Sequence, residues 1–291
     1  MHDFAYHTPA SLPVALELLQ RYGEEARVVA GGTALVLLMK QGLAQPAHLV
    51  SLARIPHLDT LLARADGLHI GATCTHRQVE TSPLVRRLAP LLAETYRHVA
   101  TVKVRTMATV GGGLAHGDPN QDPPPALLAL DARLRLRSAA GQREVPLTEF
   151  FRDYFETALR PGEVLTEVVL PPLPSRYGAA FLKFLPRTAD DYATVSAAAL
   201  VVPGGDGALR EVRLALGSVG VTPVRAAAVE AALRGQRPTP QALREAAELV
   251  RHAVEPLDDW RGSAAYKRDM AVVFARRALE QAVARLGDGS S

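Results

Sequence analysis

The chain has 291 residues, with 33 Lys or Arg against 30 Asp or Glu, a formal net charge of +3. At 48% hydrophobic and 22% charged it reads as an ordinary folded protein of about two domains, not a disordered chain. Its single cysteine, Cys74, excludes a disulfide framework and an iron–sulfur cluster, which needs about four ligands, so redox chemistry here requires a bound cofactor held by other contacts.

The opening MHDFAYHTPASLP has neither a basic nor an apolar leader segment, and no apolar run is long enough to span a bilayer, so a cytoplasmic protein is expected. Residues 11–25, SLPVALELLQRYGEE, predict a helix capped by Ser11, with Leu12, Leu16 and Leu19 on one face and Gly23 at its end. ARVVAGG is a short β-branched run that stops at two glycines, and LVLLMKQG (35–42) predicts a short helix ended by Gly42. LHIGATCT (68–75) predicts a strand. SPLVRRLAPLLAETYRHVA (82–100) predicts one helix, with Pro83 in its first turn.

ARLRLRS (132–138) alternates, with Leu134 and Leu136 on one face and three arginines on the other, which predicts a half-solvated strand. GEVLTEVVLPPLP (162–174) is a strand running into a proline-rich break, taken as a domain boundary. Beyond it, ATVSAAALVV and LREVRLALGSVG predict antiparallel strands. Three alanine-rich helices follow: one ending at Gly235, one opening at Thr239-Pro240 and one opening at Ser263. In the third, Tyr266, Met270, Val273 and Phe274 form an apolar stripe expected to face the core. The last five residues, GDGSS, are low in complexity.

Two segments concentrate glycine directly after an apolar run: VVAGGTAL (28–35) and TVGGGLAHGDPNQD (109–122). Glycine permits positive φ and lets backbone N–H groups close on an anion, although a glycine pair after a strand also serves as a plain tight turn. Neither segment is a G-x-G-x-x-G or a G-x-x-x-x-G-K-[ST] motif. Two such loops about eighty residues apart, each followed by polar residues, suit one elongated anionic ligand such as a dinucleotide pyrophosphate.

Other candidates are weaker. His116 could donate to a phosphate or face solvent. His69 and His76 flank Cys74 without metal-ligand spacing. Asp118 before Pro119 suits a turn, and the adjacent acids Asp190 and Asp191 suit a solvated loop. Trp260 suits packing or an interface. No Ser-His-Asp or Cys-His set is evident.

AGGTALVLLMK and TVGGGLAHGDPNQD resemble the paired flavin-binding loops of the FAD-binding subunit of the molybdenum hydroxylases. The resemblance continues through PGEVLTEVVLP (161–171), KFLPRTADDYATVSAAA (183–199) and SAAYKRDMAVVFARRALE (263–280), in the same order. It implies an α+β chain with a two-subdomain FAD-binding fold of the vanillyl-alcohol-oxidase/PCMH type over 1–174, divided near 1–57 and 58–174. A C-terminal domain over 175–286 would carry a small antiparallel sheet and a three-helix bundle, followed by a disordered tail, 287–291.

The resemblance places FAD against Val28, Val29, Ala30, Gly31, Gly32, Thr33, Ala34 and Leu35 of the first loop and Thr109, Gly111, Gly112 and Gly113 of the second. It also implies Asp122 at the ribose or adenine end, Leu165 and Lys183 beside the flavin, and Tyr192 near the isoalloxazine. One departure stands out: Gly113 replaces the asparagine usual in the family, the loss of roughly one hydrogen bond, about 0.5–1.5 kcal/mol net.

By the same resemblance the chain is an oxidoreductase subunit without substrate chemistry of its own and without a catalytic residue or metal ligand. A molybdenum cofactor on a large partner subunit would hydroxylate substrate. [2Fe-2S] clusters on a small partner would pass electrons to this FAD and on to an external acceptor, in a dimer of heterotrimers. A stand-alone flavin enzyme of the same fold and a flavin-less assembly paralogue are the alternatives. No nucleic-acid partner is expected, since the basic residues are scattered.

Overall fold

The computed structural model describes residues 3–185, 187–188 and 190–286. The expected tail, 287–291, lies outside them. In chain order the first half comprises β1 (Ala5–His7), α1 (Leu12–Tyr22), β2 (Ala26–Val29), α2 (Leu35–Lys40), β3 (His48–Ser51), β4 (Leu61–Arg64), β5 (Gly67–Gly71), α3 (His76–Thr81), α4 (Pro83–Leu88), α5 (Pro90–Arg97), α6 (Val102–Arg105), α7 (Val110–His116) and α8 (Pro123–Ala129). Then come β6 (Arg133–Ser138), β7 (Gly141–Pro146), the short pair β8 (Phe151–Asp153) and β9 (Glu156–Thr157), and β10 (Val164–Leu170). The second half comprises β11 (Gly178–Phe184), β12 (Val195–Pro203), β13 (Leu209–Gly217), β14 (Val224–Arg225), α9 (Ala227–Leu233), α10 (Pro240–Glu248) and α11 (Ala264–Ala284).

Three main sheets organise these elements. The first is parallel, in the order β1-β3-β2. The second is antiparallel, in the order β4-β5-β10-β6-β7, so β10 closes between strands nearly a hundred residues earlier and thirty residues earlier in the chain. The third, β11-β12-β13-β14, is also antiparallel. Alternation sets its two faces. Phe181, Ala198, Leu200 and Ala215 join the core of the second sheet and α5, α7 and α8, while Ala180, Ala197, Ala199, Leu214 and Leu216 pack under α9, α10 and α11. The third sheet is therefore buried on both sides, and its strands read as near-continuous apolar runs.

Three expectations are corrected. The predicted helix over 82–100 is two helices: Ala89 sits at φ −147°, ψ 62° because Pro90 has no N–H to continue the ladder and disfavours helical geometry in the residue before it. The glycines of the second segment do not form a loop; Val110–His116 is helical, with the Thr109 hydroxyl accepting from Gly112 N at 3.2 Å and Gly117 closing it at φ 68°. In α11 the deeply buried seam is Ala271, Ala275, Ala278 and Ala282 with Val272 and Leu279; of the expected stripe, Met270 and Phe274 pack half-buried against that core, whereas Tyr266 is exposed. Small residues let α11 lie so close to β11 that a Cβ at Gly178 would stand 1.9 Å from the Ala282 carbonyl oxygen.

Candidate functional site

The first glycine segment leaves β2, turns at Gly32 with φ 70° and enters α2. The backbone N–H groups from Gly31 through Leu35 donate to nothing among the described residues; the ladder resumes with Val36 N to Gly32 O at 3.0 Å. These residues are half-buried or exposed and lead into a helix, so their donors are open to a ligand or to water. The segment lies against the chain just before the second glycine segment: a Cβ at Gly31 would be 1.9 Å from the Met107 carbonyl oxygen. Only glycine allows that approach, and it brings the two predicted loops into contact.

The second segment differs. Val110 N donates to Cys74 O (2.9 Å), Gly111 N to Ala72 O (2.8 Å) and Gly113 N to Thr109 O (2.9 Å), which with the Gly112 cap leaves no bare row of donors. Its glycines serve packing, because a Cβ at Gly111 would fall 2.5 Å from that of Ala72. The anion seat inferred for this segment is therefore filled by the chain itself, and the unpaired donors belong to the first.

Downstream, Asp118 accepts from Asn120 N at 2.9 Å, as a turn-forming aspartate does. Asp122 is buried, and its Oδ2 receives Lys183 Nζ at 2.8 Å; the same ammonium donates to His98 O at 2.9 Å. Asp122 Oδ1 has no partner among the described residues. Burial raises the Asp122 carboxyl to about 6, and the Lys183 charge opposes that rise. Tyr192 is half exposed, and burial followed by the Asp118 charge pushes its phenol upward. Asp122 and Lys183 thus meet from the two halves of the chain, and Tyr192 lies within reach of the Asp118 and Asp122 charges. Thr194, Ser196 and Ser218 also carry buried hydroxyls without partners among the described residues. Ser196 Oγ lies beside Gly217, and Ser218 N donates to Pro119 O at 3.2 Å, so these groups line the same border.

Leu165 is a core residue of β10, laddered opposite Leu136 and followed by a bulge. His76 was not assigned from sequence: it is buried beneath the second segment, donates from Nε2 to Thr109 O at 3.2 Å, and burial lowers it to about 4. His69 is held between Asp66 (2.8 Å) and Glu167 (3.1 Å). His116 packs on Phe155 and is lowered by burial. Asp191 pairs with Arg187 at 3.6 Å while Asp190 is exposed, and Trp260 is exposed beneath the guanidinium groups of Arg187 and Arg261.

Unpaired donors at a glycine turn and an unpaired buried carboxylate oxygen beside an ammonium suit a large ligand with both anionic and hydrogen-bonding parts. Comparison with known proteins agrees. Residues 2–173 match the family described as the FAD binding domain in molybdopterin dehydrogenase, and residues 180–282 the CO dehydrogenase flavoprotein C-terminal domain. The carbon monoxide dehydrogenase medium chain of Hydrogenophaga pseudoflava is 36% identical over 282 residues, 97% of this chain and 98% of that one. The solved carbon monoxide dehydrogenase of the same organism superposes with a TM-score of 0.95 at 38% identity, covering 98% of each chain. Quinoline 2-oxidoreductase of Pseudomonas putida 86 gives 0.92 at 31% identity, over 100% of this chain and 99% of that one.

The chain belongs to the FAD-binding medium subunits of the molybdenum hydroxylases. Its cofactor is FAD, and it is the medium, flavoprotein component of a multi-subunit oxidoreductase. No helix among the described residues is long and apolar enough to cross a membrane.

Proposed function

We propose that FAD is held between the unpaired N–H groups of Gly31–Leu35 and the Asp122, Lys183 and Tyr192 cluster. The observation that carries this is the uninterrupted run of free backbone donors at the first glycine turn, suited to a pyrophosphate. Val28 and Val29 anchor that turn in β2, and Ala30 and Thr33 flank its glycines. Thr109, Gly111 and Gly112 fix the helix against which the first loop lies, and Leu165 supports it from beneath. The buried Lys183–Asp122 pair braces the wall of this site from behind, holding its charges beside the cofactor. Tyr192 offers a half-exposed aromatic edge.

Bound FAD supplies the redox chemistry that carries electrons from iron–sulfur clusters on the small partner to an external acceptor. The chain's own residues bind and orient it and keep the Asp122–Lys183 charges fixed beside it. Hydroxylation belongs to the molybdenum cofactor on the large partner. We assign the first half to the vanillyl-alcohol-oxidase/PCMH type of fold over 1–174 and the second to 175–286, within a cytoplasmic dimer of heterotrimers.

The purified chain should show flavin absorption and release FAD identifiable by mass, yet turn over no molybdenum-hydroxylase substrate alone. A chain that stays colourless after incubation with excess FAD, or one that oxidises substrate unaided, overturns this reading.

A further inference from the structure

A concavity apart from the glycine segments belongs wholly to the second half of the chain. It is a cleft of about 480 Å3 between the end of β11 and the turn leading into α11, lined by Phe184, Arg187, Trp260, Arg261 and Tyr266 among others. That volume is in the range of small-molecule sites, about 300–1,000 Å3. No carboxylate lines it among the described residues. The turn is held firmly: Asp259 receives Arg261 Nη2 at 2.6 Å and the buried Lys267 ammonium at 2.7 Å, and Arg261 Nη1 donates to Ala193 O at 3.1 Å. Gly262, at φ 148°, lets the turn pass close under Tyr266, since a Cβ there would lie 2.8 Å from its ring.

Trp260, the chain's single tryptophan, is therefore fixed by its neighbours while 64% exposed. A braced, exposed indole offers apolar area to a ligand at little ordering cost. Arg187 stands 4.7 Å from the centre of that ring. The charge of Arg261 is answered by Asp259, but Arg187 donates no hydrogen bond among the described residues and meets Asp191 only loosely, at 3.6 Å. We infer that this cleft binds a planar aromatic molecule bearing one anionic group, with the ring on Trp260 and Tyr266 and the anion on Arg187. A nucleoside monophosphate and an aromatic carboxylate share that chemistry. The site is separate from the FAD site proposed above and does not rest on it.

Emission from Trp260 reports on the cleft directly, because no other tryptophan contributes. Titrating the purified chain with adenosine 5′-monophosphate and with benzoate should give saturable quenching by at least one of them, which tells the two sources apart. The uncharged counterparts, adenosine and benzamide, should bind about 5-fold or more weakly. Arg187→Gln, at a position 67% exposed, should weaken the effective probe about 5- to 30-fold, as for a partly screened hydrogen bond to a charged group, with circular dichroism unchanged. Equilibrium dialysis with excess FAD should leave the probe bound. The inference is overturned by the absence of saturable quenching, by equal affinity for charged and uncharged probes, or by an Arg187→Gln variant that binds as wild type does. Displacement by FAD overturns it as well, making the cleft an arm of the cofactor site. A chain that binds the probe but no FAD overturns the FAD site alone.

Discussion

At the scale of single residues, the Asp122–Lys183 pair has the most to lose. Both side chains are nearly inaccessible, at 4% and 3% exposure, so neither charge has water to fall back on. Removing one partner of a buried pair typically costs about 3–5 kcal/mol because the other charge is stranded. Lys183→Met should therefore lower the unfolding free energy, read from urea denaturation, by an amount in that range, and a loss below about 1 kcal/mol, the value of an exposed pair, would show the ammonium to be solvated.

The titration of His76 has a definite sign. Its folded pKa, about 4, lies below the ordinary 6.5, so as pH falls from 6.5 toward 4 the unfolded chain takes up a proton that the folded chain refuses. Stability from this group is lost over that window. Asp122 acts oppositely: its raised value means that the folded form gains on the unfolded one as pH falls from about 6 to 3.8. The two effects offset in wild type, so the difference between wild type and His76→Gln isolates the histidine. The variant's disadvantage should shrink as pH falls from 6.5 to 4.5 in denaturation curves; a difference independent of pH would mean that His76 titrates normally.

At the scale of elements, close backbone approach decides more than hydrophobic patterning. Gly178→Ala places a methyl 1.9 Å from the Ala282 carbonyl, so α11 must lift from β11. Overpacking costs typically about 1–3 kcal/mol, which should appear as a lowered Tm. Gly205→Ala, with nothing within 4 Å of the new Cβ, is the matched control and should leave Tm unchanged. Equal effects of the two would remove the packing explanation.

The same geometry explains what could be read in advance. Thr239 and Ser263 were legible as helix caps, and both side chains accept the expected N–H. The β6 alternation was legible because Leu134 and Leu136 need only period two to point inward, while Arg135 finds Glu167 across the sheet. The helix at Gly111–Gly113 was not, since glycine's low helix propensity argues locally against it; bonds to Ala72 and Cys74, some thirty-six residues earlier, override that preference. Nor was the seam of α11, because the bulkiest stripe is not the buried one when the partner sheet demands small residues. Gln121 carried no sequence signal: the bond from its Nε2 to Gly113 O, eight residues back, appears only once the turn folds back.

At the scale of the molecule, the halves are joined by more than contact. Arg285 grips Glu94 (2.8 Å), Arg225 and Arg213 reach Asp131 (2.7 and 3.0 Å), and Lys183 reaches Asp122. Every residue of α8 is buried, with β12 and β13 on one side and α5 on another. A fragment ending at 174 would expose that helix and strand Asp122, so it should elute as aggregate and hold no flavin. A monodisperse, yellow 1–174 fragment would show instead that the second half only decorates a finished site.

The pairing of Asp122 with Lys183 also sets a clock. Chains leave the ribosome amino end first, at about 5–20 residues per second, and early domains commonly fold while later ones are still being made. Here the aspartate emerges sixty-one residues before the lysine that neutralises it, and Tyr192 emerges later still. The early half must wait, incompletely buried, for a strand that does not yet exist. On the proposed site, FAD loading would wait until the second half has been synthesised, and an interrupted chain would be left without a redox centre.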